Sequence, residues 1–151
     1  MEIKVIKRAE KIKIEEKLKE FGIKVPLAHQ FVKQAKDKIR IFTGKLAPQD
    51  LIFLNKLLRI DSIGLYFAFV KENEFRLSFD ASILYGKTAK KFLELSAEEA
   101  GAWLDGRPIA NRWGEQGYFL IKHGRDILGC GKATKEKILN FVPKERRKLQ
   151  K

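Results

Sequence analysis

Residues 117–147 read GYFLIKHGRDILGCGKATKEKILNFVPKERR, and the punctuation of that stretch decides the fold class. Two apolar, strand-like runs are joined by Gly124-Arg125-Asp126, a set of residues that favours a tight turn. Gly129 and Gly131 interrupt the second run, and a glycine inside a strand marks a bulge, a bend or the close approach of another group. Lys137–Val142 is a further strand, closed by Pro143 before a basic tail. A strand pair bent at glycines and followed by a third strand predicts the end of a small β-barrel.

Immediately upstream, Ser96-Ala97-Glu98-Glu99 forms a capping box. The Ser96 hydroxyl and the Glu99 carboxylate can each satisfy the other's free backbone N–H at a helix start. The helix has Ala100, Trp103 and Leu104 inward and stops at Gly106, and Arg107–Gly117 is a loop carrying Pro108, Trp113 and Gly114. Ahead of it, Phe92, Leu93 and Leu95 read as a strand-like segment. Asp80–Gly86 is the expected junction between a first lobe, residues 1–85, and a second, residues 86–151.

The first lobe mixes periods. Glu2–Ile6 reads as a short strand, and Ile14, Leu18 and Phe21 recur at helical spacing before Gly22, a suitable residue to end a helix. Leu27, Phe31, Val32 and Ala35 fit a second short helix after Pro26, and Lys38–Thr43 fits a strand ending at Gly44. Ala47–Arg59 reads as a central, sheet-covered helix, since Leu51, Ile52, Leu54, Leu57 and Leu58 are apolar over more than one face. Ser62–Val70 and Phe75–Phe79 form a hairpin across a polar turn, with Arg76, Ser78 and Asp80 on its wet face. Gly64 marks a bulge or a close backbone approach. The whole is an α+β chain.

Charge narrows the function. Of 151 residues, 32 are Lys or Arg and 19 are Asp or Glu, a net charge of +13. From Lys122 onward ten basic residues face three acidic ones, which places +7 of that total in the last 30 residues. Such a field concentrates polyanions and points to nucleic acid. Cys130 is the only cysteine, so one chain has neither a disulfide nor a Cys-based metal site. His29 and His123 lie far apart, and no metal site is expected. The sequence carries no glycine-rich nucleotide turn, no Walker-type loop, no His-Glu zinc motif and no Ser-centred elbow. Glu98 and Glu99 are explained by capping. The expectation is therefore a protein without catalytic residues or cofactor, cytoplasmic and without a membrane partner.

Three segments carry a resemblance: LELSAEEAGAWLDGRPI (93–109), GYFLIKHGRDILGCGK (117–132) and ILNFVPKERR (138–147). Together they resemble the C-terminal PUA-like domain of ribosomal-RNA cytosine-5 methyltransferases of the Nol/Nop/Sun type. SIGLYFAFVKENEFRLSFDASIL (62–84) is similar to the pre-PUA domain of Nip-seven-like ribosome assembly factors. What the resemblances imply is a pre-PUA-like sheet-and-helix lobe joined to a PUA-like pseudo-β-barrel. They also imply binding of structured RNA in rRNA or tRNA maturation or ribosome biogenesis. The alternative is a protein–protein adaptor that supplies a targeting domain in trans to an RNA-modifying enzyme or assembly factor.

Candidate RNA-binding residues follow. Lys132 sits beside two glycines, which either let a phosphate approach or permit a barrel bend. The resemblance puts Arg107 and Arg112 at the border of the RNA surface, where a guanidinium suits phosphate and base edges. Trp113 and Tyr118 are either stacking platforms or core. Lys144, Arg146 and Arg147, with Lys148 and Lys151, form a cationic tail that is either solvated or ordered along phosphates. Lys87, Lys90 and Lys91 make a second patch, and Lys122 adds to the charge of the hairpin.

Overall fold

A computed structural model describes residues 2–25 and 29–148. The first sheet is an antiparallel meander of β1 (Ile3–Val5), β2 (Gln30–Gln34), β3 (Lys38–Phe42), β4 (Leu65–Lys71) and β5 (Glu74–Leu77), neighbours in space in chain order. Helix α1 (Arg8–Phe21) packs on one face through Ile14, Leu18 and Phe21, and Ile23 N–H closes it on Leu18 O at 2.9 Å. Helix α2 (Pro48–Leu57) lies on the other face through Leu51, which meets Ile3, Val32 and Ile63.

Helix α3 (Phe79–Tyr85) and a 3-10 turn (Gly86–Thr88) lead into the second sheet. Its strands are β6 (Phe92–Glu94), β7 (Ile109–Ala110), β8 (Gly117–His123), β9 (Asp126–Ala133) and β10 (Lys137–Asn140), ordered β6-β8-β9-β10-β7. The β6–β8 pair is parallel and the others antiparallel. Helix α4 (Ala97–Leu104) is held by the expected box, with Ser96 Oγ accepting from Glu99 N at 3.1 Å and Glu99 Oε2 accepting from Ser96 N at 2.8 Å. The chain is α+β, and its second sheet curls into a PUA-like pseudo-barrel.

Why β8 reads as an unbroken apolar run is now plain, because both of its faces are buried. Phe119 and Ile121 enter the second lobe's core with Trp103, Leu128 and Ile138. Leu120, and Cys130 across on β9, enter the first lobe's core with Phe21, Phe67 and Leu77. The hairpin that decides the fold is thus a wall between two cores.

Three expectations are corrected. Residues 30–34 are strand β2, not a helix, since Val32 and Gln34 alternate inward and Ala35 then turns to a positive φ of 69°; Pro26 and Leu27 lie outside the described residues. Helix α2 is peripheral rather than central, with Phe53, Leu57 and Leu58 exposed at 61%, 64% and 61%. Phe79 opens α3 instead of extending β5, because Ser78 Oγ accepts from Ala81 N and caps a helix there. Helix α3 thus occupies the stretch between the two sheets, and it packs against β4 and β9. The close approach at Gly64 is real: a Cβ would lie 2.0 Å from Ile41 O.

Candidate nucleic-acid interface

The glycines of β9 serve packing. A Cβ on Gly131 would meet Trp103 Cη2 and Ile138 Cγ2 at 2.8 Å, and one on Gly129 would meet Phe79 at 3.1 Å. Gly129 also holds a φ of +109°, open to glycine and hard for other residues. Trp103 lies over the bend and donates Nε1–H to Leu128 O at 2.7 Å. Side chains therefore fill the space over Gly131, and Lys132 has no phosphate-sized opening beside that glycine.

Lys132 is directed away from that core. It ion-pairs with Glu74 of β5 and lies 5.4 Å from the Tyr118 ring, so it ties the two sheets together. The Lys132 hydrogen bond holds the Glu74 carboxyl below its usual range. Burial raises the Tyr118 phenol, whose ring packs on the first lobe's core.

The loop after α4 is equally occupied. Arg112 reaches Glu99 at 2.9 and 3.1 Å and Glu94 O at 3.1 Å, with its guanidinium 4.2 Å from the Trp113 ring. That bond keeps Glu99 charged by depressing its carboxyl. Trp113 leans on the second core. Arg107 pairs with Asp105 at 3.2 Å and stays exposed.

The tail folds back as far as residue 148. Asn140 Nδ2 donates to Trp103 O at 2.7 Å and to Arg107 O at 2.9 Å, and its Oδ1 accepts from Val142 N at 2.8 Å. Arg147 donates to Val142 O at 3.1 Å, and Arg146 pairs with Asp80 at 2.8 Å. Lys148 N–H caps Leu104 O at 3.0 Å. Lys144 is exposed, and Lys151 lies outside the described residues.

What the structure does assemble is a basic groove of about 650 Å³ between the 3-10 turn and the β8–β9 hairpin. Lys87, Lys90, Lys122 and Arg125 line it, with Phe92 and Ile127 as an apolar floor. Lys87, Lys90 and Arg125 make no ion pair among the described residues. Lys122 pairs with Glu94 at 3.4 Å, while Glu94 also accepts from Gly124 N at 2.6 Å and is depressed chiefly by that backbone bond. Lys91 belongs elsewhere, over the rings of Phe119 (4.7 Å) and Phe21 (5.3 Å). Arg125 was missing from the sequence candidates. Its position in a Gly-Arg-Asp turn, three residues after Lys122, was the available signal, because such a turn holds its middle residue out.

Cys130 is not poised as a nucleophile, for burial pushes its thiol up to about 12. Among the described residues no cluster of His, Cys, Asp and Glu has the makings of a metal site. No described helix is long and apolar enough to cross a membrane.

Residues 90–148 match the PUA domain of methyltransferase RsmF. The second lobe is accordingly a PUA-like domain resembling that of ribosomal-RNA cytosine-5 methyltransferases. A more particular likeness is to the ribosomal RNA small subunit methyltransferase F of Aeromonas hydrophila subsp. hydrophila, 31% identical over 105 residues. That match takes in 66% of this chain and 22% of the relative, so the chain spans about a fifth of the relative's length. Since 66% of the chain cannot fit within 90–148, the likeness also runs back into the first half.

Proposed function

We propose that this chain binds structured RNA without catalysing a reaction on it, in the maturation or modification of ribosomal RNA. The observation that carries the reading is the PUA-domain match over 90–148, in a chain with a net charge of +13. In this reading the chain divides into a pre-PUA-like lobe, 1–85, and a PUA-like lobe, 86–151, and works in the cytoplasm. The interface centres on the groove of Lys87, Lys90, Lys122 and Arg125, where Lys87, Lys90 and Arg125, without an ion pair among the described residues, stand ready for phosphates. Exposed Lys144 and Arg107 lie outside that groove and serve as peripheral contacts. Arg112, Trp113, Tyr118, Lys91, Lys132, Arg146 and Arg147 act instead as struts that shape the surface.

The test is binding to a labelled structured RNA and to a DNA duplex of equal length across a salt series. Tighter binding to the RNA at physiological salt is expected. The combined Lys87→Glu, Lys90→Glu and Arg125→Glu variant should weaken it and lower the salt slope by about two to three, as fewer counterions are released. Equal, weak and steeply salt-dependent binding to both nucleic acids would sink the reading.

The adaptor reading has its own support in the exposed apolar side chains of Phe53 and Leu57 on α2 and of Leu58 just after it. A protein partner that stays bound after nuclease treatment, and is lost when those residues become polar, would favour it.

A further inference from the structure

On the outer face of the first sheet, Arg76 of β5 stands opposite Phe69 of β4. Its guanidinium is 3.9 Å from the ring of Phe141, which follows β10 in the other lobe, and 5.1 Å from the ring of Phe69. The side chain is half-buried between these rings, yet it has no hydrogen bond or ion pair among the described residues. All five of its N–H donors are therefore left without a hydrogen-bond partner among the described residues. A guanidinium that lies over two rings without a hydrogen bond keeps its N–H donors for an acceptor from outside.

Beside it opens a cleft of about 210 Å³ between the lobes, with Gly129 among its lining. Tyr66 and Phe141 are on its walls, and Asp80 and Glu145 are at its polar edge. Asp80 is tied to Arg146 at 2.8 Å, so its charge is answered within the protein. Lys38 Nζ lies 5.5 Å from the Tyr66 ring. Rings and cations thus alternate from β3 across β4 and β5 to the chain after β10, the interleaving that suits unpaired nucleotides.

We propose that this cleft takes one unpaired nucleotide of a single-stranded RNA segment, the base against the rings of both Tyr66 and Phe141 and an RNA oxygen on Arg76. The proposal rests on the RNA-binding reading and adds to it a site in which both lobes take part. An acidic peptide would answer Arg76 but leave the ring faces without a flat partner. A duplex would present its bases already stacked. Glu145, also in the lining, supplies a carboxylate that can accept from an exocyclic amino group, a bond to the base that phosphate charge alone does not require.

The experiment uses a single-stranded RNA oligonucleotide containing 2-aminopurine, whose fluorescence falls on stacking. The wild-type chain should bind and quench it. Arg76→Gln should weaken binding about 5- to 100-fold and lower the salt slope by about 0.7, the value for one phosphate contact on a single strand. Phe141→Leu should lose the quenching, whereas Phe141→Tyr, which keeps the ring, should retain it. A role only as a strut between lobes would shift thermal melting and leave quenching and salt slope as they are. Should Phe141→Leu fail to fold, Tyr66→Leu on the opposite wall reads the same two quantities. If the cleft variants bind and quench like wild type while the Lys87, Lys90 and Arg125 reversal abolishes binding, the cleft proposal is overturned and RNA binding stands. If the wild-type chain binds no RNA, both fall.

Discussion

Each sheet has five strands, yet the two manage their faces in opposite ways. The second closes around its own core: Trp103 is fully buried, its N–H is satisfied, and Asn140 ties the end of α4 to the tail. The first is an open meander that borrows Leu120 and Cys130 from the second to complete one face. Its other face meets α2 through Leu51, while Phe53 and Leu57 of that helix and Leu58 just after it stay in solvent. The second lobe is thus a frame and the first depends on it. The candidate surfaces follow the same division, since the basic groove lies at the frame's hairpin and the Arg76 cleft lies where the dependent lobe meets it.

The hardest blow to that picture comes from Trp103→Ala. Emptying a fully buried indole site costs about 3–5 kcal/mol, a large part of a stability that is typically about 5–15 kcal/mol. Urea unfolding followed by far-UV circular dichroism should show one transition, moved to lower urea as a unit. The Cys130 thiol, silent to labelling when folded, should react in step with it. A variant whose first lobe unfolds at the wild-type midpoint, separately from the second, would break the dependence argued here.

Next in size is Asn140→Ala. Three hydrogen bonds are lost, and the freed Trp103 O, Arg107 O and Val142 N must find water. The expected cost is about 1–3 kcal/mol, with the tail after residue 140 gaining amide exchange. If exchange there stays slow, Arg147 and Lys148 alone hold the tail.

How much of this the sequence made legible depends on where each residue's partner lies. The β8–β9 hairpin, the Ser96–Glu99 cap and the Ile14-Leu18-Phe21 stripe depend on neighbours close in sequence, and each appears where the pattern puts it. Strand β2 failed because five residues between turns fit either period. Its Gln34 faces inward although its side chain is polar, because it bonds to the chain at Asp61 and Ile63. Helix α2 failed because an apolar residue looks the same whether or not anything covers it. At the candidate sites, Arg112 and Lys132 looked free because Glu99 and Glu74 are 13 and 58 residues away. Arg76 looked like an ordinary wet-face residue, since the ring that holds it belongs to Phe141.

The smallest effect is also the sharpest test of the contrast between the lobes. Phe53→Ser and Leu57→Ser change residues of α2 that are more than half exposed, so no cavity forms and little apolar area is lost. Each should shift stability by no more than about 0.5 kcal/mol, read as an unchanged urea midpoint. Leu51→Ala, on the same helix but 2% exposed against Ile3, Val32 and Ile63, should cost about 2–5 kcal/mol. The ratio of those effects matters more than either value. A large ratio means that α2 is anchored by one residue and keeps a face that folding does not use, which leaves that face free for a partner. Comparable losses at Phe53 and Leu51 would mean that α2 is packed on both sides, and the first lobe would then be as closed as the second.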